Sequence, residues 1–124
     1  MISVIVPTYN KASLLEQTLQ NILKQTYQNI EIIVVDDGST DKTKEVIASL
    51  QSKKINYFYN SKTKGTSRSR ILGINKSSGS YIAFLDDDDW WSNNKLQLQY
   101  DLMIKEQLDF VMSNYIVNDM VNNK

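Results

Sequence analysis

Short apolar runs along this chain alternate with longer stretches in which apolar residues recur every three or four positions. The runs are rich in β-branched residues, and some lack any alternation of apolar and polar positions, which is typical of strands buried on both faces. These runs predict strands at Ile2–Val6, Ile30–Val35, Ile55–Tyr59 and Tyr81–Leu85, with a fifth starting in Asp109–Tyr115.

The stretches between these runs have the spacing of amphipathic helices, as Leu15, Leu19 and Ile22 show in the first of them. Three good capping residues, 39–41, precede the second stretch. The spacing predicts helices at Lys11–Lys24, in the segment with Val46, Ile47 and Leu50, at Ser67–Asn75 and at Ser92–Glu106. Strands that alternate with helices indicate an α/β fold, a mostly parallel sheet with helices on both faces. The polar tail 118–124 is predicted to be frayed.

Composition narrows the chemistry that is available. The 124 residues predict one domain or a part of one, and a hydrophobic fraction of 41% is enough for a core. Fourteen basic residues balance fourteen acidic ones, which argues against a nucleic-acid partner. The chain contains neither cysteine nor histidine, so thiolate or histidine metal sites and histidine bases are excluded. Catalysis must therefore use carboxylates, a metal held by oxygen ligands, or basic side chains.

The chain shows no membrane or export signal. No apolar run approaches the roughly 18 residues of a membrane-spanning helix. The N-terminus lacks the basic start and cleavage site of a signal peptide. We therefore expect a cytoplasmic location, which includes the inner face of a membrane.

Polar side chains follow three of the predicted strands. Residues 7–10 follow the first strand, Asp36 and Asp37 the second, and residues 86–89 the fourth. Ligands bind outside the carboxyl ends of the strands in open α/β sheets. We therefore expect these sequence-distant groups to converge on one cleft.

The run Asp86, Asp87, Asp88 and Asp89 predicts a metal site. Four adjacent like charges at the end of a buried strand repel one another unless a cation binds them. Alternate residues of an extended segment point the same way, so Asp86 and Asp88 can face one ligand. Mg²⁺ and Mn²⁺ both prefer such oxygen ligands. The alternative is a solvated acidic turn that caps the next helix, but the position after a buried strand favours the metal.

Basic residues gather in a different segment. No acidic residue occurs between Val46 and Leu85, whereas lysines and arginines recur there. Arg68 and Arg70 lie near the start of a predicted helix, whose free amides favour anions. We expect a diphosphate between this segment and a metal on the aspartates; an ordinary solvated helix face is the alternative.

Two further side chains suit a nucleotide base. Tyr9, directly after the first strand, can stack on a base, although loop packing is the alternative for an aromatic there. Asp37 can accept a hydrogen bond from the imide N–H of uracil. Its alternative role is turn and cap chemistry.

These residues lie within blocks that resemble the signature blocks of family 2 glycosyltransferases with the GT-A fold. Three blocks, at 4–10, 34–41 and 83–91, carry the resemblance, and 65–74 resembles that family's glycine-to-arginine block. Four blocks in order and at similar spacing are far more specific than a lone DxD motif. The resemblance implies a Rossmann-like GT-A domain, of which 1–124 would be a single partial domain.

The resemblance implies a role for each matching residue. Asp86 would reach the ribose or the water shell of the metal, and Asp88 would ligate the metal, which is Mn²⁺ or Mg²⁺. Asp87 occupies the variable position between them, and Asp89 would be structural. The remaining nucleotide-binding positions would be Pro7, Thr8 and Tyr9 at the base, Asp37 at the uracil and Arg70 near the diphosphate.

The implied reaction is sugar transfer from a nucleoside diphosphate, in particular a UDP-sugar, to a hydroxyl of a glycan or lipid-linked acceptor, with inversion. Ile71 departs from the family pattern, which has an asparagine there. The catalytic base is unknown and expected beyond Lys124, because the acidic residues 101, 106, 109 and 119 sit in no matching motif. The alternatives are a receiver-like Mg²⁺-binding signalling domain and a noncatalytic nucleotide-binding or assembly module. Self-association into a homo-oligomer is a further expectation.

Overall fold

The computed structural model describes residues 1–117, and the tail that was predicted to be frayed, 118–124, lies outside them. Four helices and four strands alternate along this part of the chain. The strands are β1 (Ile2–Thr8), β2 (Ile30–Asp36), β3 (Ile55–Tyr59) and β4 (Tyr81–Phe84). The helices are α1 (Ala12–Leu23), α2 (Thr43–Ser49), α3 (Thr66–Lys76) and α4 (Lys95–Glu106).

All neighbouring strands are parallel, in the order β3-β2-β1-β4. Ile2 of β1 lies opposite Ile30 of β2 on one side and Tyr81 of β4 on the other. From β1 the chain adds β2 and then β3 on one side of the sheet, and it then crosses back so that β4 pairs with the other edge of β1. This reversal makes β1 the switch point of the sheet, where a crevice opens at the carboxyl ends of the strands.

The core has two layers because alternate residues of each strand face opposite sides of the sheet. On one side Val4 and Val6 belong to a buried cluster with Leu15 and Leu19 of α1, to which α2 and α4 also contribute. On the other side Ile5 belongs to a smaller cluster that α3 covers. The prediction of a parallel α/β sheet with helices on both faces is confirmed.

The predicted fifth strand at Asp109–Tyr115 is wrong, since residues 109–117 form no strand. Phe110 and Met112 in this segment are exposed. Within the described residues, no backbone hydrogen bond joins the segment to β4, and its contact with α4 is a 3.4 Å hydrogen bond from Gln99 Nε2 to Ser113 Oγ. Apolar and aromatic residues form a strand only where a sheet edge also offers backbone partners, and this segment has none.

Candidate functional site

A cleft of about 480 Å³ opens at the carboxyl ends of β1 and β4. Its walls come from the ends of these two strands, from the turn after β2 and from the first turns of α3. All eight residues predicted from the sequence line this one cleft, together with three that were not predicted. The lining residues are Pro7, Thr8, Tyr9, Lys11, Asp37, Thr66, Ser69, Arg70, Asp86, Asp87 and Asp88.

The aspartate run divides between two directions. Asp86 accepts a 2.7 Å hydrogen bond from Arg70 Nη2, and Asp88 accepts one of 2.8 Å from Lys11 Nζ. Asp87 also lines the cleft but is only 6% exposed, and it accepts a 2.8 Å hydrogen bond from Thr8 Oγ1. Asp86 and Asp88 are therefore the more exposed carboxylates of the three, each in close contact with a cation of the chain itself.

The charges of this cluster affect one another. The hydrogen bond to Asp88 raises the pKa of the Lys11 ammonium, against an opposing effect of burial, and the charge of Asp87 raises it further. Burial raises the pKa of Asp89, and the negative charges of Asp88 and Asp86 add to this effect. The end of β4 is therefore a negatively charged region that favours the protonated, cationic form of Lys11.

A divalent metal fits this cluster only with additional ligands. Among residues 1–117, no group of three or more acidic side chains is arranged to hold a metal ion. In the described contacts, Asp86 and Asp88 each use one carboxylate oxygen for Arg70 or Lys11 and keep the other free. Mg²⁺ in nucleotide-binding proteins is commonly held by one or two carboxylates together with phosphate oxygens and water. The residues therefore fit a metal that binds together with a diphosphate.

Asp37 joins the turn after β2 to the start of α3. Its buried carboxylate accepts hydrogen bonds from the backbone N–H of Lys64 at 2.9 Å and of Gly65 at 2.9 Å. Gly65 has φ of 91°, a left-handed conformation that suits glycine and lets α3 begin directly over the cleft. A carboxylate has about four acceptor sites. Asp37 therefore keeps capacity for a ligand donor while it holds this loop.

The family model described as Glycosyl transferase family 2 matches residues 3–124. The chain belongs to glycosyltransferase family 2. An uncharacterized glycosyltransferase of Haemophilus influenzae is 39% identical over 126 residues, which are 100% of this chain and 50% of that protein. The Escherichia coli UDP-Glc:alpha-D-GlcNAc-diphosphoundecaprenol beta-1,3-glucosyltransferase WfgD is 36% identical over 99% of this chain and 47% of its own length.

A solved structure of another glycosyltransferase has a similar fold. The mannosyltransferase PcManGT from Pyrobaculum calidifontis, in complex with GDP-Man and Mn²⁺, is similar to this chain with a TM-score of 0.76 and 27% identity. The match covers 82% of this chain and 32% of that structure. The GT-A fold expected from the sequence is confirmed, and the comparisons lend no support to a receiver-like domain. The chain spans about half the length of the two bacterial relatives.

Behind the cleft, the chain also contains a layer of buried polar side chains that was not predicted from the sequence. Three buried polar side chains of α1 and its end hold the segment that carries the aspartates. Thr18 Oγ1 donates to the carbonyls of Asp87 and Asp89 at 3.0 and 3.1 Å. Asn21 exchanges two 2.8 Å hydrogen bonds with the backbone of Trp91. Gln25 Nε2 donates a 2.7 Å hydrogen bond to the carbonyl of Ser92, and Gln25 Oε1 accepts a 3.1 Å hydrogen bond from the backbone N–H of Leu96.

A sequence signal for this layer exists. The three polar residues, at positions 18, 21 and 25, follow helical spacing and fall on the same face as Leu15 and Leu19. A polar residue on an apolar helix face has to find a buried partner. Lys11 also had a signal, since it directly follows the strand-end block 7–10.

The tryptophans after the aspartates take separate roles. Trp91 is 7% exposed and packs in the larger core cluster. Trp90 is 70% exposed. Adjacent residues of an extended segment point in opposite directions, and one tryptophan enters the core only if its neighbour leaves it.

Proposed function

We propose that this chain forms the donor-binding part of a glycosyltransferase that takes a nucleoside-diphosphate sugar, specifically a UDP-sugar. The observation that carries the proposal is the single cleft at the switch point of the sheet. There, the Asp86–Arg70 and Asp88–Lys11 pairs line the same cleft as Tyr9 and Asp37, the two side chains suited to a nucleotide base.

The choice of uridine rests on Asp37 and on a relative. The imide N–H of uracil is a donor that a carboxylate suits, whereas the equivalent position of cytosine carries no proton. Tyr9 is half-exposed beside the cleft, so its ring is available to stack on a base. The E. coli relative is named for a UDP-sugar, and the archaeal mannosyltransferase holds a GDP-sugar, so the family match alone does not choose the base.

The positive charges in the cleft would assist the reaction by stabilising the leaving group. Sugar transfer leaves negative charge on the departing diphosphate, and groups placed beforehand to receive that charge lower the barrier. Arg70 and Lys11 are cations in the cleft wall, held by Asp86 and Asp88. A Mn²⁺ or Mg²⁺ ion on Asp88 and Asp86, when bound, would add Lewis-acid stabilisation of the same charge.

The acceptor hydroxyl would attack the sugar carbon directly and invert its configuration, with a carboxylate base taking the proton. Asp101, Glu106 and Asp109 do not line the cleft, and we assign the base to none of them. We propose a lipid-linked or glycan acceptor, since the E. coli relative is named for a diphosphoundecaprenol-linked one. Such an acceptor would place the reaction at the inner face of a membrane. Among the described helices, none has the length and apolar character to cross a bilayer.

Isothermal titration of the 124-residue chain with UDP, with and without Mn²⁺, tests the proposal. We expect binding that requires Mn²⁺ and that is weaker for CDP and GDP than for UDP. A folded sample that shows no metal-dependent binding of any nucleoside diphosphate would overturn the proposal. Equal binding of all three nucleotides would retain the donor site and overturn the assignment of uracil to Asp37.

A further inference from the structure

Ser69 carries a hydroxyl group that nothing in the described part of the protein satisfies. The residue is 0% exposed, and Ser69 Oγ is the one buried side-chain polar atom without a hydrogen-bond partner among residues 1–117. Buried polar groups are nearly always paired, and each exception calls for a physical explanation. A serine within a helix usually satisfies its hydroxyl on a backbone carbonyl of the preceding turn. Ser69 makes no such bond.

The position of this hydroxyl is fixed by the packing of α3 on β1. One turn after Ser69, a β-carbon on Gly73 would collide with Ile5 of β1, so the helix lies very close to the sheet there. One turn before it, Thr66 lines the cleft. Ser69 shares this inward side of the helix and itself lines the cleft. Ser69 therefore lies between the cleft and the sheet, under the first turn of α3.

The first turn of α3 also has backbone N–H groups that can donate hydrogen bonds to a ligand in the cleft. The backbone N–H of Gly65 is taken by Asp37, and that of Ser69 by the carbonyl of Gly65 at 3.1 Å. The intervening amides, 66–68, have no acceptor among the described hydrogen bonds, as is usual at the start of a helix. A free hydroxyl and free amides on one side of the cleft would suit a ligand rich in oxygen acceptors.

We propose that Ser69 Oγ donates a hydrogen bond to an oxygen of the nucleoside in the bound donor, and so contributes to donor specificity. This inference rests on the function proposed above. The nucleoside is favoured over the diphosphate because the diphosphate is already assigned to Lys11 and Arg70, the cations of the cleft wall beside Asp88 and Asp86. Ser69 is neutral, and the Gly65 amide that binds Asp37 lies one turn away, about 6 Å along the helix. A hydroxyl at that distance from the base-recognising carboxylate is placed to reach the same nucleoside.

The variant Ser69→Ala separates ligand recognition from stability. We expect it to raise the Kd for UDP in the presence of Mn²⁺ by about 3- to 10-fold, the effect of one hydrogen bond. It should not lower the melting temperature, because the deleted hydroxyl has no partner in the protein and alanine is the better helix former. The matched control is Ser67→Ala on the exposed side of the same turn, which should leave the Kd unchanged.

Three ligands define the outcome: UDP, UMP and inorganic pyrophosphate. Loss of affinity for UDP and UMP by the same factor, with pyrophosphate unaffected, supports the assignment to the nucleoside. Loss of affinity for pyrophosphate would overturn it. If the parent chain binds UDP and Ser69→Ala binds it equally well, this inference fails and the proposed function stands. If the parent does not bind UDP at all, both fail together.

Discussion

Lys11 Nζ lies 2.8 Å from Asp88 Oδ2 and 3.4 Å from Asp87 Oδ1, so the protein supplies its own cation to the aspartate expected to bind the metal. Both Lys11 and Asp88 are a little over 40% exposed, so water weakens this ion pair without abolishing it. A divalent ion that approaches Asp88 has to share this carboxylate with the ammonium group or displace it. For the metal site proposed at Asp88, we therefore expect Lys11 to lower the metal affinity of the free protein.

Replacing Lys11 with methionine should tighten binding of Mn²⁺ alone. The change removes the competing charge and keeps most of the aliphatic side chain. An exposed ion pair contributes up to about 1 kcal/mol, so we expect a gain of no more than about fivefold in Mn²⁺ affinity. Titration calorimetry without nucleotide measures this gain. Lys24→Met, an exposed change at the end of α1, is the control; an affinity for Mn²⁺ that is equal in both variants would contradict the prediction.

Asp88→Asn should abolish the Mn²⁺ dependence of UDP binding while the protein remains folded. The side chain faces the cleft, and its described hydrogen bond is with Lys11, so its charge adds little to the core. UDP titrations with and without Mn²⁺, together with circular dichroism, check both parts. Asp101→Asn, an exposed carboxylate of α4, should behave like the parent. If Asp88→Asn keeps the metal dependence, Asp88 is not the metal ligand.

Asn21→Ala should lower the free energy of unfolding by roughly 2–6 kcal/mol. The change leaves both the N–H and the carbonyl of Trp91 buried without a partner, and each such group costs about 1–3 kcal/mol. Urea denaturation measures this loss, with Gln20→Ala on the exposed side of α1 as the control. The aspartate segment should also be held less firmly, so UDP should bind more weakly to the folded variant. A loss of stability no greater than that of the control would show that the Asn21 contacts contribute little.

Asp41 should give the stability a defined pH dependence. Its carboxylate accepts hydrogen bonds from Thr43 and from the backbone N–H of Ala12, and so binds the first residues of both α1 and α2. The hydrogen bond from the Thr43 side chain, with the backbone bonds, lowers the pKa of Asp41 below its ordinary 3.8 against the opposing effect of burial. The stabilisation is therefore present above pH 3.8 and is lost as the pH falls through the lowered pKa.

Asp41→Asn should accordingly destabilise the protein by up to about 1 kcal/mol at pH 6, because the amide keeps one acceptor oxygen but loses the charge and the second acceptor of the carboxylate. The difference from the parent should shrink as the pH is lowered below 3.8, because the parent carboxylate becomes neutral as well. Urea unfolding at a series of pH values measures it. A difference that stays constant across the series would mean that the charge of Asp41 is irrelevant.

Much of the fold follows from local pattern, as the β1 and β2 strands illustrate. Their β-branched runs, Val4–Val6 and Ile32–Val35, can be buried only in a sheet that is covered on both faces, and that requirement dictates the helices between them. The prediction of a fifth strand at Asp109–Tyr115 was wrong because it considered only the residues of that segment. A strand needs a neighbour to pair with, and the sequence of the strand does not say whether that neighbour is present.

The site was predictable where backbone geometry decides it and not where tertiary contacts do. Alternation along the chain predicted that Asp86 and Asp88 face one ligand, and in the structure these two carboxylates contact Arg70 and Lys11 whereas Asp87 accepts a hydrogen bond from Thr8. Asp37 was predicted only as a ligand for a base, because its second role, holding the amides of Lys64 and Gly65, joins residues far apart in the chain. Lys11 was missed for the same reason: its partner Asp88 lies 77 positions away.

The central position of β1 fixes a length as well as a topology. Asp37 follows β2 and the metal-type aspartates follow β4, and these strands flank β1 on opposite sides. The two groups are thus separated by two strand spacings, roughly 10 Å, which the hydrogen bonds of the sheet hold constant. The sheet therefore sets the distance between the groups proposed to bind the base and the metal. Substitutions of side chains around the cleft should alter the preference for a base or a metal without altering this distance.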